Sequence, residues 1–435
     1  MAYCAIDFGT SNSGIAVPDG RGGVTLVELE PGYRTMPTSV FYLTDGATAH
    51  EPLPRVYGRA ALAAYVDGLD GRLMRSMKSI LGSSLVEQST DVGGGRSVRY
   101  ADVISGYLRH LKTVAEAAAG TRLQQVVLGR PVRFVDDDDE RDARAQATLE
   151  AAARAVGFRD VSFQFEPIAA ALHYEQGLTD ERLVLVADIG GGTSDFSLVR
   201  VGPSRRGRAR RDDDILANHG VHVAGTDFDR HLELAAILPL AGYRGRGPDG
   251  REVPSRVYFD LATWHLINTV YTPARVGELR RMRGFHADPR QHDRLMRIVD
   301  DRLGHALVAK AEAAKIELAA GGATTIDLDA VEPLLSVALD ASQAAAALEA
   351  DIGRVVNAAR RTAALAGVTP AAVQALYFTG GSTGLTSLVN RIAAAFPQAE
   401  AVHGDHFASV SQGLGVHARR VYGSAPSPAR GRGPG

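Results

Sequence analysis

The sequence predicts an α/β protein with two lobes, on the basis of three observations. Short β-branched runs alternate along the chain with alanine-rich stretches of helical periodicity, which favours sheets covered by helices. A chain of 435 residues is too long for one ordinary hydrophobic core. A short motif of aspartate, glycine and hydroxyl residues occurs twice, 181 residues apart. Because this spacing is about one lobe, we expect a duplicated architecture with one motif in each lobe.

The individual elements follow from hydrophobic periodicity. Apolar runs rich in valine, isoleucine and leucine predict strands at residues 3–6, 13–17, 125–128, 183–187, 196–199 and 376–378. Apolar residues at helical spacing predict helices at residues 101–118, 142–156, 227–238, 294–318, 344–365 and 409–421. Glycine, proline and arginine predict loops at residues 202–214 and 242–254.

Composition excludes several classes of protein. Hydrophobic residues make up 45% and charged residues 23% of the chain, which is ordinary for a globular protein. The longest apolar run, residues 182–188, is far shorter than the roughly 20 residues of a membrane span. The chain begins without a basic segment, and its single cysteine, Cys4, excludes an intramolecular disulfide. These two observations lead us to expect a cytoplasmic protein. Since 48 basic residues balance 50 acidic ones, nucleic acid and membrane are disfavoured as partners.

The repeated motif has the chemistry of a phosphate site. Its copies are Asp7-Phe-Gly-Thr-Ser-Asn-Ser13 and Asp188-Ile-Gly-Gly-Gly-Thr-Ser-Asp195, each between two apolar strands. Glycine lets backbone amides approach phosphate oxygens, and the aspartate can hold Mg²⁺ directly or through water. Two hairpin turns with capping aspartates are the structural alternative, which the repeated residue order makes less favourable. No Walker A or Rossmann glycine motif is present, so a different phosphate-binding fold is required.

A third glycine motif lies near the end of the chain. Leu376-Tyr-Phe-Thr-Gly-Gly-Ser-Thr-Gly384 reads as a strand and a turn, with Ser382 placed to cap the next helix, whose N-terminus favours anions. Taken alone, this motif equally fits an ordinary strand-to-helix turn. Together the three sites resemble the phosphate-1, phosphate-2 and adenosine motifs of the actin, sugar-kinase and 70-kDa heat-shock ATPase superfamily. The resemblance implies a two-lobed actin-like (ribonuclease-H-like) fold with the nucleotide in the cleft between the lobes.

Within that superfamily the chain resembles the heat-shock (DnaK-type) branch. The matches keep their order over residues 3–415. The sequence at residues 157–166, 187–195 and 314–316 is similar to that of the short YegD-type heat-shock-like proteins. Further motifs that match this branch are Met77-Lys-Ser-Ile-Leu-Gly82, Gly129-Arg-Pro-Val-Arg-Phe134, Phe165-Glu-Pro-Ile-Ala-Ala-Ala171 and Val223-Ala-Gly-Thr-Asp-Phe-Asp229.

The resemblance implies a role for each matched residue. Asp7 and Asp188 would orient hydrated Mg²⁺, and Lys78 would neutralise charge on the γ-phosphate. Glu166 would lie near the attacking water, with Asp188 and Thr193 completing the catalytic set. Positioning and charge stabilisation supply most of the catalysis in phosphoryl transfer. The nucleotide would be held by Asp7, Gly9, Thr10, Ser11, Asn12, Gly190, Gly191, Gly192, Gly225, Glu312, Lys315, Gly380, Gly381 and Ser382.

The adenosine end departs from the family pattern. Ile316 and Gly384 stand where the family has the two arginines that sandwich adenine, and Ala319 stands where it has a serine. Loss of these cation–π contacts predicts weaker ATP binding and poor discrimination against GTP.

Two charge runs and the histidines have ordinary interpretations. The acidic run 136–140 predicts a solvated loop that opens a helix, since acids favour helix N-termini. The basic run 205–211 predicts a hairpin extension that is neutralised by the following residues 212–214. The 13 histidines lack the spacing of a catalytic zinc site.

These observations predict the function and the domain plan. We expect lobe I at residues 1–178, lobe II at 179–400, a return to lobe I at 401–423, a disordered tail at 424–435 and no peptide-binding domain. The expected function is that of a chaperone-like protein that binds Mg-ATP, hydrolyses it slowly to ADP and acts with an unidentified protein client or co-factor. A small-molecule (sugar-type) kinase of the same superfamily and a nucleotide-gated scaffold without turnover are the alternatives.

Overall fold

The computed structural model describes residues 2–44, 53–93, 95–135, 138–208, 211–264, 266–404 and 409–423. Its strands are β1 (Ala2–Phe8), β2 (Asn12–Pro18), β3 (Val24–Leu26), β4 (Thr35–Pro37), β5 (Ser39–Leu43), β6 (Arg55–Tyr57), β7 (Gly71–Arg75), β8 (Ser89–Gly93), β9 (Arg96–Arg99), β10 (Leu123–Arg130), β11 (Asp160–Phe165), β12 (Arg182–Ile189), β13 (Ser194–Val201), β14 (Ile215–Val221), β15 (Ala323–Asp327), β16 (Ser336–Asp340), β17 (Ala375–Thr379) and β18 (Glu400–His403). The six predicted strands all lie within these elements.

The helices of the described residues are α1 (Gly58–Val66), α2 (Tyr100–Ala119), α3 (Asp139–Ala155), α4 (Glu166–Gly177), α5 (Gly225–Leu232), α6 (Arg256–Leu261), α7 (Ile267–Val270), α8 (Pro273–Arg281), α9 (Pro289–Asp300), α10 (Gly304–Glu317), α11 (Ala341–Leu365), α12 (Thr386–Ala395) and α13 (Ser409–Tyr422). None of the helices in this part of the chain combines the length and the apolar character needed to cross a bilayer. The predicted tail, residues 424–435, lies outside the described residues.

Two large sheets repeat one plan. In the first sheet the order is β11-β10-β1-β2-β3, with β1 parallel to β10 and antiparallel to β2. In the second sheet the order is β14-β13-β12-β17-β18, with β12 parallel to β17 and antiparallel to β13. Each aspartate motif therefore forms the turn of a hairpin, β1–β2 or β12–β13, at the centre of its sheet.

The two helices α4 and α13 pack together between the sheets. Their buried side chains share one hydrophobic cluster with residues of both sheets, such as Val127 of β10 and Val184 of β12. A Cβ atom on Gly413 of α13 would lie 1.9 Å from the carbonyl oxygen of Ala169 in α4, so only glycine permits this approach. This close packing holds the two sheets together and fixes Glu166, the first residue of α4, at the cleft between them.

The long helix predicted at residues 294–318 is wrong, because the structure divides it into α9 and α10. The chain turns between them with Arg302 in the left-handed region, at a φ of 54°. Gly304 then packs so closely that a Cβ atom would lie 2.6 Å from the Tyr271 hydroxyl. This turn is set by tertiary packing, which helical periodicity does not record. The helix predicted at 227–238 begins earlier, at Gly225, and widens into a π-helical turn at Glu233–Ile237.

The two charge runs behave largely as predicted. Asp138 accepts a hydrogen bond from the backbone of Arg141 and opens α3, while residues 136–137 lie outside the described part. In the basic run, Arg205 and Arg211 both pair with Asp214, as expected. The run is not purely self-neutralising, however, because Arg211 also pairs with the fully buried Glu175 of α4 at 2.9 Å.

Candidate nucleotide-binding site

The turns of the two central hairpins face each other. A Cβ atom on Gly191 would lie 2.8 Å from Oγ of Ser11, and one on Gly9 would lie 2.1 Å from the carbonyl oxygen of Asn12. The second turn is closed by a hydrogen bond of 3.0 Å from the Gly190 amide to the Thr193 carbonyl. Glycine is required at position 9 because its own turn is so tight, and at position 191 a side chain would press on the hydroxyl of Ser11 in the facing turn. The exposed amides of such turns form a concavity that suits phosphate.

The third glycine motif and the start of α5 support the second turn from behind. The amide of Gly225 donates to the carbonyl of Gly190 at 3.1 Å, and the amide of Thr226 donates to that of Gly191 at 2.8 Å. The hydroxyl of Ser382 donates to Gly190 at 2.7 Å. The predicted helix cap at Ser382 is therefore wrong, since this hydroxyl binds the second turn, and α12 begins only at Thr386.

Three carboxylates and one ammonium group meet where the turns converge. Asp7 lies in the last part of β1, Asp188 in that of β12, and Glu166 begins α4. Nζ of Lys78 donates to Oε1 of Glu166 at 2.6 Å, with side-chain exposures of 10% and 13%. Lys78 lies in a single 3₁₀ turn, Met77–Ile80, which follows a left-handed residue, Ser76. The structure thus brings together the predicted catalytic lysine and the three predicted carboxylates.

The electrostatics of this cluster disfavour the ionised form of two of its carboxyl groups. Burial raises the pKa of Asp7 to about 8, helped by Glu166 and Asp188 and opposed by Lys78. Burial also raises the pKa of Asp188 to about 7, with further contributions from Asp195 and Glu166. For Lys78, burial favours the neutral amine, but the surrounding carboxylates outweigh it and raise the pKa. One ammonium among three carboxylates leaves the site able to accept a further cation.

The donor set fits a hydrated ion better than a directly caged one. Within the described residues, no group of three or more His, Cys, Asp or Glu side chains is arranged to ligate a metal directly. Mg²⁺ keeps several of its waters in proteins, so carboxylates that are not gathered for direct ligation can hold it through water. Sequence reasoning did not find Ser411 of α13, whose buried hydroxyl lies beside Asp7 and lowers its pKa. A serine in a C-terminal helix gives no sequence signal of that position.

We call Asp7–Asn12, Asp188–Thr193 and Gly380–Ser382 the phosphate side, and Glu312–Ala319 with Gly384 the base side. On the base side, Nζ of Lys315 lies 2.7 Å from Oδ1 of Asp229 and donates to the Gly225 carbonyl at 3.4 Å. Burial raises the pKa of Asp229 to about 6, and Lys315 opposes this shift. Lys315 therefore reaches the phosphate side through Gly225, as expected of a nucleotide contact, but its charge is already paired.

Three other positions of the base side, Glu312, Ile316 and Gly384, are open. Glu312 is exposed and makes no hydrogen bond or ion pair within the described residues. Ile316 is 64% exposed, and a Cβ atom on Gly384 would meet no atom within 4 Å. The structure therefore does not gather these positions into a closed pocket as it gathers the phosphate side.

Comparison with known proteins agrees with this arrangement. The family model described as Hsp70 protein matches residues 3–235, which is more than half of the 435 residues. Over 265 residues the chain is 30% identical to the Chaperone protein HscA homolog of Laribacter hongkongensis (strain HLHK9), a match that covers 56% of this chain and 38% of that relative. The YegD-type subgroup stays a prediction. The predicted actin-like ATPase fold is confirmed, because it is the fold of the matched family: the chain belongs to the Hsp70 family.

Proposed function

We propose that the chain is a chaperone-like protein that binds Mg-ATP between its two lobes and hydrolyses it slowly. Membership of the Hsp70 family supports ATP binding and a chaperone-like role. The observation that carries turnover is the ion pair between Lys78 and Glu166, held at 2.6 Å beside Asp7 and Asp188. An ammonium and a carboxylate at the convergence of two phosphate-binding turns are suited to phosphoryl transfer to water.

The chain's own residues divide the work as follows. The turn amides of the phosphate side bind the β- and γ-phosphates. Asp7 and Asp188 would hold Mg²⁺ through its waters, and the ion would supply neutralisation of phosphate charge. Lys78 places its ammonium against the γ-phosphate, where negative charge must be stabilised during transfer. Glu166 anchors this ammonium and accepts a hydrogen bond from the attacking water.

Two alternative functions, those of a kinase and of a scaffold, would use the same site. A kinase would pass the phosphoryl group to a substrate hydroxyl, and a scaffold would bind the nucleotide without turnover. The paired Lys315 and the open base side permit the scaffold, because both weaken the grip on the nucleotide. Lys78 and Glu166 count against the kinase, because they match motifs of the heat-shock branch.

Phosphate release from ATP separates these three functions. The purified chain is incubated with ATP and Mg²⁺, with and without a panel of sugars and metabolite hydroxyls, and both inorganic phosphate and phosphorylated acceptors are measured. Slow release that no acceptor accelerates supports the proposed ATPase. Acceptor phosphorylation supports the kinase, and binding of labelled ADP without any release supports the scaffold.

The partners and lobe boundaries belong to the same proposal. We place the first boundary after residue 178, just beyond the end of α4 at Gly177, and the second near residue 400, at the last strand of the second sheet. The chain acts in the cytoplasm on a protein client or with a co-chaperone. Because the match spans 38% of the HscA homolog, pull-downs with ATP and with ADP are needed to find this partner.

A further inference from the structure

Helix α13 covers the face of the first sheet on which Asp7 lies. Ser411 and Gly415 are one helical turn apart, so they lie on the same face of α13. A Cβ atom on Gly415 would lie 2.7 Å from Cβ of Ala16, and a Cβ atom on Gly14 would lie 2.3 Å from Oγ of Ser411. This face of the helix therefore rests on two small residues of β2, Gly14 and Ala16.

The strand register places Asp7 directly beside this contact. Asp7 of β1 is the cross-strand partner of Gly14 in β2. Directly opposite residues of an antiparallel pair carry their side chains on the same face, with Cβ atoms about 4.5–5.5 Å apart. Since Gly14 has no side chain, Oγ of Ser411 takes the place that a side chain at position 14 would fill. A hydroxyl from the C-terminal helix thus lies next to the carboxyl group of Asp7.

Packing alone does not account for this hydroxyl. Ser411 is 1% exposed, and its Oγ makes no hydrogen bond of good geometry with the described residues. A buried hydroxyl without a partner destabilises a fold, and glycine inside a strand such as β2 is also unfavourable. Two locally unfavourable residues, Gly14 and Ser411, therefore meet at Asp7. Such departures from local preference are expected at functional sites.

We propose that Ser411 is a positioning residue of the cation site, whose hydroxyl donates to the carboxylate of Asp7 and holds it towards the waters of Mg²⁺. The inference rests on the proposed function, because this role requires that Mg-ATP or Mg-ADP binds in the cleft. A carboxylate accepts several hydrogen bonds, so one from Ser411 leaves other lone pairs for the waters of the ion. Hydrogen-bond partners behind a metal ligand typically contribute about 10- to 100-fold to metal affinity. Because Asp7 would reach the ion through water, we expect the lower end of this range.

The test measures ADP binding to the full chain by calorimetric titration, once with Mg²⁺ and once with EDTA. The ratio of the two affinities reports how much the ion strengthens binding, independently of hydrolysis. In Ser411→Ala we expect this ratio to fall about tenfold, while the metal-free affinity for ADP stays within about twofold of wild type. Ser409→Ala makes the same change at another buried serine of α13 and should keep the wild-type ratio.

A second variant displaces the hydroxyl without changing Ser411 or Asp7. The Cβ atom of Gly14→Ala would occupy the position of Oγ, so we expect the same fall in the ratio. The double variant Gly14→Ala/Ser411→Ala should fall no further than either single variant, because both remove one interaction. Denaturant unfolding without nucleotide separates positioning from structure: Ser411→Ala should be as stable as wild type or more stable, since it removes an unpartnered hydroxyl.

Each failure has a distinct signature. If wild type does not bind ADP, or if Mg²⁺ does not strengthen the binding, the proposed function fails and this inference fails with it. If Mg²⁺ strengthens binding to wild type and to Ser411→Ala equally, only the inference is overturned. It is also overturned if Ser411→Ala weakens ADP binding equally with Mg²⁺ and with EDTA, because the cleft as a whole is then disturbed. Should Gly14→Ala not fold by circular dichroism, the ratio in Ser411→Ala decides alone.

Discussion

The phosphate side and the base side differ in how closely their residues are packed. On the phosphate side, a Cβ atom on Gly380 would lie 2.4 Å from the carbonyl oxygen of Ile189, and one on Gly191 would lie 2.8 Å from Ser11. On the base side, a Cβ atom on Gly384 would meet nothing, and Ile316 projects into solvent. The contrast predicts that this chain would hold the phosphates of a nucleotide by shape and charge and would hold its base only loosely. Four experiments can break or sharpen that contrast.

The largest effect is expected at Lys78. Lys78→Ala removes the ammonium that we place against the γ-phosphate, so we expect single-turnover hydrolysis to fall by about 10²–10³. Binding of labelled ADP should change little, because the turn amides remain in place. Lys112→Ala is the matched control, since Lys112 is also mostly buried and paired, 3.4 Å from Glu116. A wild-type rate in Lys78→Ala contradicts the assignment of the phosphate side.

The second effect compares the two glycines of one motif. Gly380 has a φ of 87° and no room for a Cβ atom, so Gly380→Ala combines backbone strain with overpacking. We expect it to lower the free energy of unfolding by about 2–4 kcal/mol. Gly384→Ala should stay within about 0.5 kcal/mol of wild type. Denaturant unfolding measures both variants, and equal losses of stability refute the difference between the sides.

The third effect asks whether the contrast extends into the lobes. His305 of α10, the helix that carries most of the base side, and His417 of α13, beneath the phosphate side, are both buried. Burial lowers each pKa from about 6.5 to about 4, with nearby arginines adding to the shift. The unfolded chain therefore takes up protons below pH 6.5 that the folded chain refuses until about pH 4, and stability is lost as the pH falls through this range.

At pH 5 each histidine should lower the free energy of unfolding by about 2 kcal/mol relative to its value at pH 7. Unfolding curves at pH 5 and at pH 7 measure this loss of stability. His305→Phe and His417→Leu should each abolish the part of the loss that its own histidine contributes. His403→Gln, at an exposed position, serves as the control. Equal shares mean that both lobes are equally well packed and that the contrast is confined to the nucleotide site. If only one of the two histidines contributes to the loss of stability, the contrast between the two sides extends into the lobes.

The phosphate side could be predicted from the sequence for a physical reason. Its constraints act over a few neighbouring residues, because an aspartate must end a strand and glycines must make the turn. These requirements appear as a local motif at Asp7 and again at Asp188. The central strands were predictable for the same reason, since apolar runs such as residues 183–187 are local.

What the sequence could not predict depends on long-range packing. The break between α9 and α10 follows from the contact of Gly304 with Tyr271, 33 residues away. The hydroxyl of Ser382 binds Gly190 across 192 residues. A cavity of about 240 Å³, lined in part by Lys315 and Ala319 of the base side, forms where α10, α11 and α12 meet. Such long-range contacts leave no periodicity or spacing in the sequence. The residues of the base side could therefore be predicted, but the shape of that part of the site could not.

The smallest effect is expected from restoring a cation to the base side. Ile316→Arg places a guanidinium next to the base, where a cation–π contact contributes about 0.5–2 kcal/mol. ADP binding should tighten by about 2- to 30-fold, since 1.4 kcal/mol corresponds to a factor of ten. Leu365→Arg makes the same chemical change at another exposed position, 57% exposed on α11, and should leave the affinity unchanged. Calorimetric titration with ADP and GDP measures both variants. If wild type already binds ADP tightly and rejects GDP, or if Ile316→Arg has no effect, the base is held by contacts other than the lost arginines, and the two sides of the site are more alike than their backbones suggest.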